Sequence, residues 1–150
     1  MRKLLMVVLA VALFLAINYF FSDKVRFTET RTVNMLIGTT QLQVEVAANL
    51  AEQVRGLSGR KRLCEQCGML FVYAKPQLMN FWMEGMRFPL DLIFIREGKV
   101  VDFARNVPAP QSGEQPARVE SSVEADSVLE VNAGFIDRNR IKLGDPAKLD

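Results

Sequence analysis

The chain has 150 residues, 49% of them hydrophobic and 24% charged, with 19 basic and 17 acidic side chains. It contains no histidine and only two cysteines. This excludes Ser-His-Asp and Cys-His catalysis and any four-ligand Cys/His zinc site built within one chain.

Residues 4–21 carry no charge, follow Arg2 and Lys3, and precede Asp23 and Lys24. Such a run is near the shortest that spans a bilayer core, and basic residues before it favour a cytoplasmic N-terminus. It ends in Tyr19, Phe20 and Phe21, where a signal peptidase needs small residues. Residues 1–22 are therefore expected to be an uncleaved signal anchor, a single-pass transmembrane helix attaching the chain to the cell membrane, with a cleaved signal peptide as the alternative. Residues 23–31 then form a stalk, and residues 32–150 an exported domain on the extracytoplasmic side. Without Arg2 and Lys3, 17 basic residues balance 17 acidic ones. A neutral domain lacks the basic footprint of nucleic-acid binding, so no nucleic acid is expected as a partner. The cluster Arg55, Arg60, Lys61 and Arg62 reads as a solvated helix end and loop.

The exported part is long enough for one domain with a hydrophobic core. Residues 33–37, a Gly38-Thr39 turn and the alternating run 41–46 predict a β-hairpin. Asn49 and Glu52 form a capping-box-like start to a short helix over 50–55, stopped at Gly56. Residues 69–73 read as a buried strand, Lys75-Pro76-Gln77 as a turn, and 78–83 as a second strand-like run. Residues 90–95 and 100–103 flank a hairpin loop at Arg96-Glu97-Gly98-Lys99. Residues 108–122, with three prolines and no period, read as a long surface loop. A strand at 128–131, a short helix at 134–139 and a turn at Gly144-Asp145 into a last strand complete the chain. The expected class is mostly β, a single compact β-sandwich or small barrel-like domain with one or two short helices.

Several motifs come in one order: Gly56-Leu57 with Arg60, Gly68-Met69-Leu70-Phe71, Phe81-Trp82-Met83, Pro89-Leu90-Asp91-Leu92-Ile93-Phe94, Val128-Leu129-Glu130, Gly134 and Gly144-Asp145. Together they resemble the uncharacterised bacterial and archaeal domain-of-unknown-function family 192 over roughly residues 42–149. The resemblance implies a compact β-rich domain, often exported. It brings no activity and no catalytic residues. The chain departs from the family pattern at Ser58, where methionine is usual, and at Glu84-Gly85-Met86, where a lysine-asparagine-threonine-like triplet is common. The Cys64/Cys67 pair is a further specialisation.

Residues 64–86 hold both cysteines, the only tryptophan and four of the seven methionines. In an exported domain Cys64 and Cys67 are expected to be oxidised together. Their short loop makes a weak staple, worth about 2 kcal/mol in the chain-entropy model. Redox exchange also uses this spacing, but a strand follows here and not the helix of a thioredoxin-like βαβ unit. Soft metals such as Cu(I) accept thiolate and thioether, and zinc would need further ligands. No motif calls for a metal or an organic cofactor.

Asp91 lies within an apolar run. Alternation puts Leu90, Leu92 and Phe94 on one face, and Asp91, Ile93 and Ile95 on the other. A half-buried carboxylate there needs a partner, such as Arg87 or a backbone N–H of residues 85–88. Its bland reading is a tie to a loop. Its functional reading is a polar group in a pocket with Trp82, Met83, Glu84 and Arg87, rimmed by the 108–122 loop. Trp82 reads as core before ligand platform, and Glu130 as a weaker case of a carboxylate within an apolar strand. Three functions stay open: a non-enzymatic binding module of the cell envelope, thiol–disulfide exchange at Cys64/Cys67, or soft-metal binding there.

Overall fold

The computed structural model describes residues 31–150; the expected membrane anchor lies outside them. Among the described residues no helix is long and apolar enough to cross a membrane.

Strands β1 (Thr32–Ile37) and β2 (Thr40–Ala47) form the expected antiparallel hairpin, with Ile37 opposite Thr40. The two-residue turn needs a left-handed start, and Gly38 supplies it at φ 56°. Helix α1 (Leu50–Arg55) follows. The Asn49 side chain accepts from the Glu52 backbone N–H at 3.0 Å, and Glu52 accepts from the Asn49 N–H at 3.2 Å. This reciprocal cap satisfies donors that the first turn leaves unpaired. The crossover returns the chain to β3 (Cys67–Gln77), which pairs parallel to β2.

The remaining strands are β4 (Asn80–Trp82), β5 (Leu90–Arg96), β6 (Lys99–Val107), β7 (Arg118–Glu120), β8 (Ala125–Asn132) and β9 (Ala147–Leu149). A second short helix, α2 (Phe135–Arg138), precedes β9. Seven strands form one sheet in the order β6-β5-β8-β3-β2-β1-β9, and β4 pairs with β7. The domain is thus mostly β, with a single curled, half-barrel sheet and not two stacked ones. Its outer strands meet at one end, where Lys99 bridges to Pro146. There the Ala147 N–H donates to the Gly98 carbonyl at 2.8 Å.

Both faces of the sheet are covered, so the central strands bury every side. One core gathers Ile37, Val44, Leu70, Ile93, Leu129 and Phe135. The other gathers Met69, Phe71, Met79, Met83, Leu92, Phe94 and Val128. Gly68 permits the tight β3–β8 pairing, since a Cβ there would lie 2.9 Å from the Glu130 carbonyl oxygen and from Leu129.

Three local expectations change. Strand β3 continues through Lys75, Pro76 and Gln77, where a turn was expected; the ladder to β8 slips between Val72 and Gln77, and that irregularity accommodates the proline. The second strand-like run shrinks to β4. The 108–122 segment is not all loop, because β7 within it pairs with β4.

Candidate functional site

The two-stranded β4–β7 sheet and the turn after α1 stand over one face of the main sheet and leave a cleft of about 530 Å³. Its walls are α1 and the turn through Gly56, Leu57 and Ser58 on one side, and Asn80, Phe81, Trp82, Glu84 and Gly85 on the other. Phe71, Met86 and Glu130 also line it. The volume suits a small molecule.

Register explains why a carboxyl lies there. In β8, Val128 and Glu130 point to one face, and Leu129 and Val131 to the other. Glu130 sits between Met69 on β3 and Leu92 on β5. Both neighbours are buried and apolar. Glu130 is 7% exposed, and its side chain makes no hydrogen bond among the described residues. The residue lines the cleft, and its side-chain oxygens are not sealed from the surface. Burial without a partner pushes its pKa up to about 8, because desolvation penalises the charged form. At neutral pH the group is a carboxylic acid, able to donate one hydrogen bond and accept others.

The surroundings are aromatic and partly charged. Phe71 and Phe81 meet edge to face with centroids 5.1 Å apart. Burial raises the Tyr73 phenol pKa, with a further upward push from Glu130. Trp82 is 48% exposed at the rim, and the Arg118 guanidinium of β7 lies 5.1 Å from its ring centroid, within cation–π range. On the same sheet face, Arg60 grips Glu45 with both guanidinium nitrogens, one at 2.7 Å. This bond holds the Glu45 pKa below the usual carboxylate range.

The residues singled out from sequence separate. Trp82 and Glu84 line the cleft; Met83, Arg87 and Asp91 are not among its lining residues. Trp82, read first as core, is largely exposed, whereas Met83 is buried in the core on the cleft side. Asp91 is completely buried, not half-buried. Its partners are neither Arg87 nor the 85–88 backbone. Its carboxylate accepts from the Asn106 N–H at 2.8 Å and the Ile136 N–H at 3.0 Å. It ties β5 to the left-handed Asn106 (φ 51°) and to the first turn of α2, on the face opposite Leu90 and Leu92.

Cys64 and Cys67 are joined in a disulfide, with Cα atoms 5.1 Å apart. Cys64 is exposed, and Cys67 opens β3. Asn132 donates to the carbonyls of Leu63 and Cys64, at 3.3 and 2.8 Å, pinning this loop to the end of β8. Thiolate ligands for a soft metal would exist only after reduction. Among the described residues no group of three or more His, Cys, Asp or Glu side chains is placed to hold a metal.

Glu130 carries only a faint signal in the sequence. Its signal was a lone charge within Val128-Leu129-Glu130-Val131. Alternation alone does not say that the face it shares with Val128 opens on a cavity. Phe71 and Phe81 stand in the motifs that carry the resemblance without being marked as site residues, and Asn80 carries no signal.

Comparison with known proteins agrees with this architecture. The profile of the family described as Uncharacterized ACR, DUF192, matches residues 32–149. The chain belongs to this family. A Sinorhizobium meliloti protein, provisionally described as a transcription regulator, is similar in structure. It is 26% identical, with a TM-score of 0.74 over 81% of this chain and 96% of that one. A Novosphingobium aromaticivorans protein of unknown function is 29% identical, with a TM-score of 0.71 over 82% of this chain and 89% of that one. No curated protein matches.

Proposed function

We propose that this DUF192 domain is a binding module that takes a small molecule into the cleft between α1 and β4, with the Glu130 carboxyl as its polar anchor. One observation carries the reading: a buried carboxyl without a hydrogen-bond partner opens on an aromatic-lined cavity. Largely buried polar groups are normally paired within the protein, and a ligand in the cleft would take the place that solvent holds beside this carboxyl. Trp82 and Phe81 offer flat apolar surface at the mouth. The uncharged run at residues 4–21, behind Arg2 and Lys3, supports attachment to the cell membrane with the domain exported. The Cys64–Cys67 bridge is in keeping with an oxidising compartment.

Trp82 is the only tryptophan, so its emission reports on the cleft. The full chain is titrated with a panel of small alcohols, amides, acids and amines. At least one class gives a saturable change that Glu130→Ala abolishes. No response from any member of the panel contradicts the reading.

A second reading, thiol–disulfide exchange, draws on the exposure of Cys64, which leaves the bridge open to an attacking thiolate. A reduction potential between about −120 and −270 mV, the span of known oxidoreductases, supports it; a value below about −300 mV, usual for structural bridges, rules against it.

A further inference from the structure

The cleft's chemistry narrows the ligand class, an inference that rests on the binding reading above. We propose that the cleft takes a primary alkylammonium group, with the ammonium against the Glu130 carboxylate and the alkyl chain along Phe71, Phe81 and Trp82.

Three features select this chemistry. The buried Glu130 carboxyl has no hydrogen-bond partner among the described residues, so the counter-charge it needs when ionised must come from outside. An ammonium ion brings that charge together with N–H donors. Aromatic faces attract cations when water is excluded, and Phe71 and Phe81 line the cavity; the exposed Trp82 ring, which already carries Arg118, offers apolar surface only. Glu84 adds a second carboxylate at the exposed mouth. A ligand carboxylate or phosphate would bring no counter-charge for an ionised Glu130 and would meet Glu84 at the mouth with like charge.

The other charged and titratable groups around Glu130 leave this balance in place: Arg60 is paired with Glu45 on the same sheet face, and Arg118 lies over the Trp82 ring at the rim. Arg55 lines the α1 side, and its charge already bears on Glu45 and Glu52, whose carboxyls it helps hold down. Tyr73 on β3 has a raised pKa, so its phenol is uncharged near neutrality. Leu92 on β5 carries no charge.

Glu130 must lose its proton to solvent when an ammonium ion binds. Affinity therefore rises with pH until the free carboxyl is ionised, near 8. Below that point the gain is about tenfold per pH unit. An alkylammonium with a pKa near that of lysine, about 10.4, stays charged throughout.

The test is a Trp82 fluorescence titration of the full chain with butylammonium, 1-butanol and butanoate at pH 6.5 and 7.5. The expected result is saturable butylammonium binding about tenfold tighter at pH 7.5. That pH dependence disappears in Glu130→Gln, whose side chain cannot ionise, and butanol and butanoate bind more weakly. If butanol or butanoate binds as well as butylammonium, or the pH dependence survives in Glu130→Gln, the ammonium assignment is overturned while the binding reading stands. If none of the three binds and the wider panel is also silent, both fall.

Discussion

The Ser58 hydroxyl donates a 2.7 Å hydrogen bond to the backbone carbonyl of Glu84. Alongside it, the Gly59 N–H donates to the Gly85 carbonyl at 2.9 Å. The two bonds join the turn after α1 to the turn after β4. Ser58 and the 84–86 turn thus meet in direct contact at the cleft wall.

Gly85 holds φ 71°, and a Cβ there would lie 3.2 Å from the Ser58 Cβ. Gly85→Ala should therefore cost about 1–3 kcal/mol from backbone strain alone. Ser58→Ala, which loses one exposed bond, should cost about 1 kcal/mol or less. Urea denaturation measures both; equal losses for the two variants would contradict this account of the contact.

Glu130 predicts an unusual pH dependence. Its folded-state pKa, about 8, is raised above the ordinary 4.5. Below 4.5 both folded and unfolded chains hold the proton. Between 4.5 and 8 only the folded chain keeps it, so stability from this group falls as pH rises, by about 1.4 kcal/mol per unit. Above 8 the loss is complete. Glu130→Gln cannot titrate, so its stability relative to wild type should climb from pH 5 to pH 8. Denaturation at four pH values checks this, and parallel profiles for the two proteins would refute it.

Asp91 is expected to matter for folding and not for the cleft. Asp91→Ala would strand the buried N–H of Ile136 and the N–H of Asn106 and leave a cavity, a loss of about 2–4 kcal/mol. Asp91→Asn keeps one acceptor and should cost less. Neither variant, where folded, should change Trp82 titrations; a shifted affinity in Asp91→Asn would show that the two faces of the sheet are coupled.

Local chemistry was legible in the sequence where it acts over a few residues. The β1–β2 turn at Gly38, the Asn49/Glu52 cap and the Glu97-Gly98 hairpin all follow from neighbouring side chains. So does the alternation along β5, which put Leu90 and Asp91 on opposite faces. Long-range placement was not legible. Nothing near Asp91 announces that its partners are Asn106 and Ile136. Nothing near Trp82 announces that β7, inside a proline-rich segment, pairs with β4 and leaves the indole at a rim. Glu130 is the instructive case: its burial was readable, but the cavity above it is made by residues some 45 to 80 positions earlier.

The Cys64–Cys67 bridge closes a very short loop that Asn132 already anchors. Replacing both cysteines by serine should cost about 2 kcal/mol or less and leave the fold intact. Circular dichroism with thermal denaturation measures this; loss of the folded state would mean that the bridge carries far more of the fold than its loop length implies.

The most direct test of the central claim is an NMR titration of the Glu130 side-chain carboxyl carbon, assigned by its absence in Glu130→Gln. A midpoint near 8 in the free protein, falling when butylammonium is added, is the predicted result. A midpoint near 4.5 in the free protein would mean that the carboxyl is already paired or hydrated, and would contradict its role as the unpartnered anchor of the cleft.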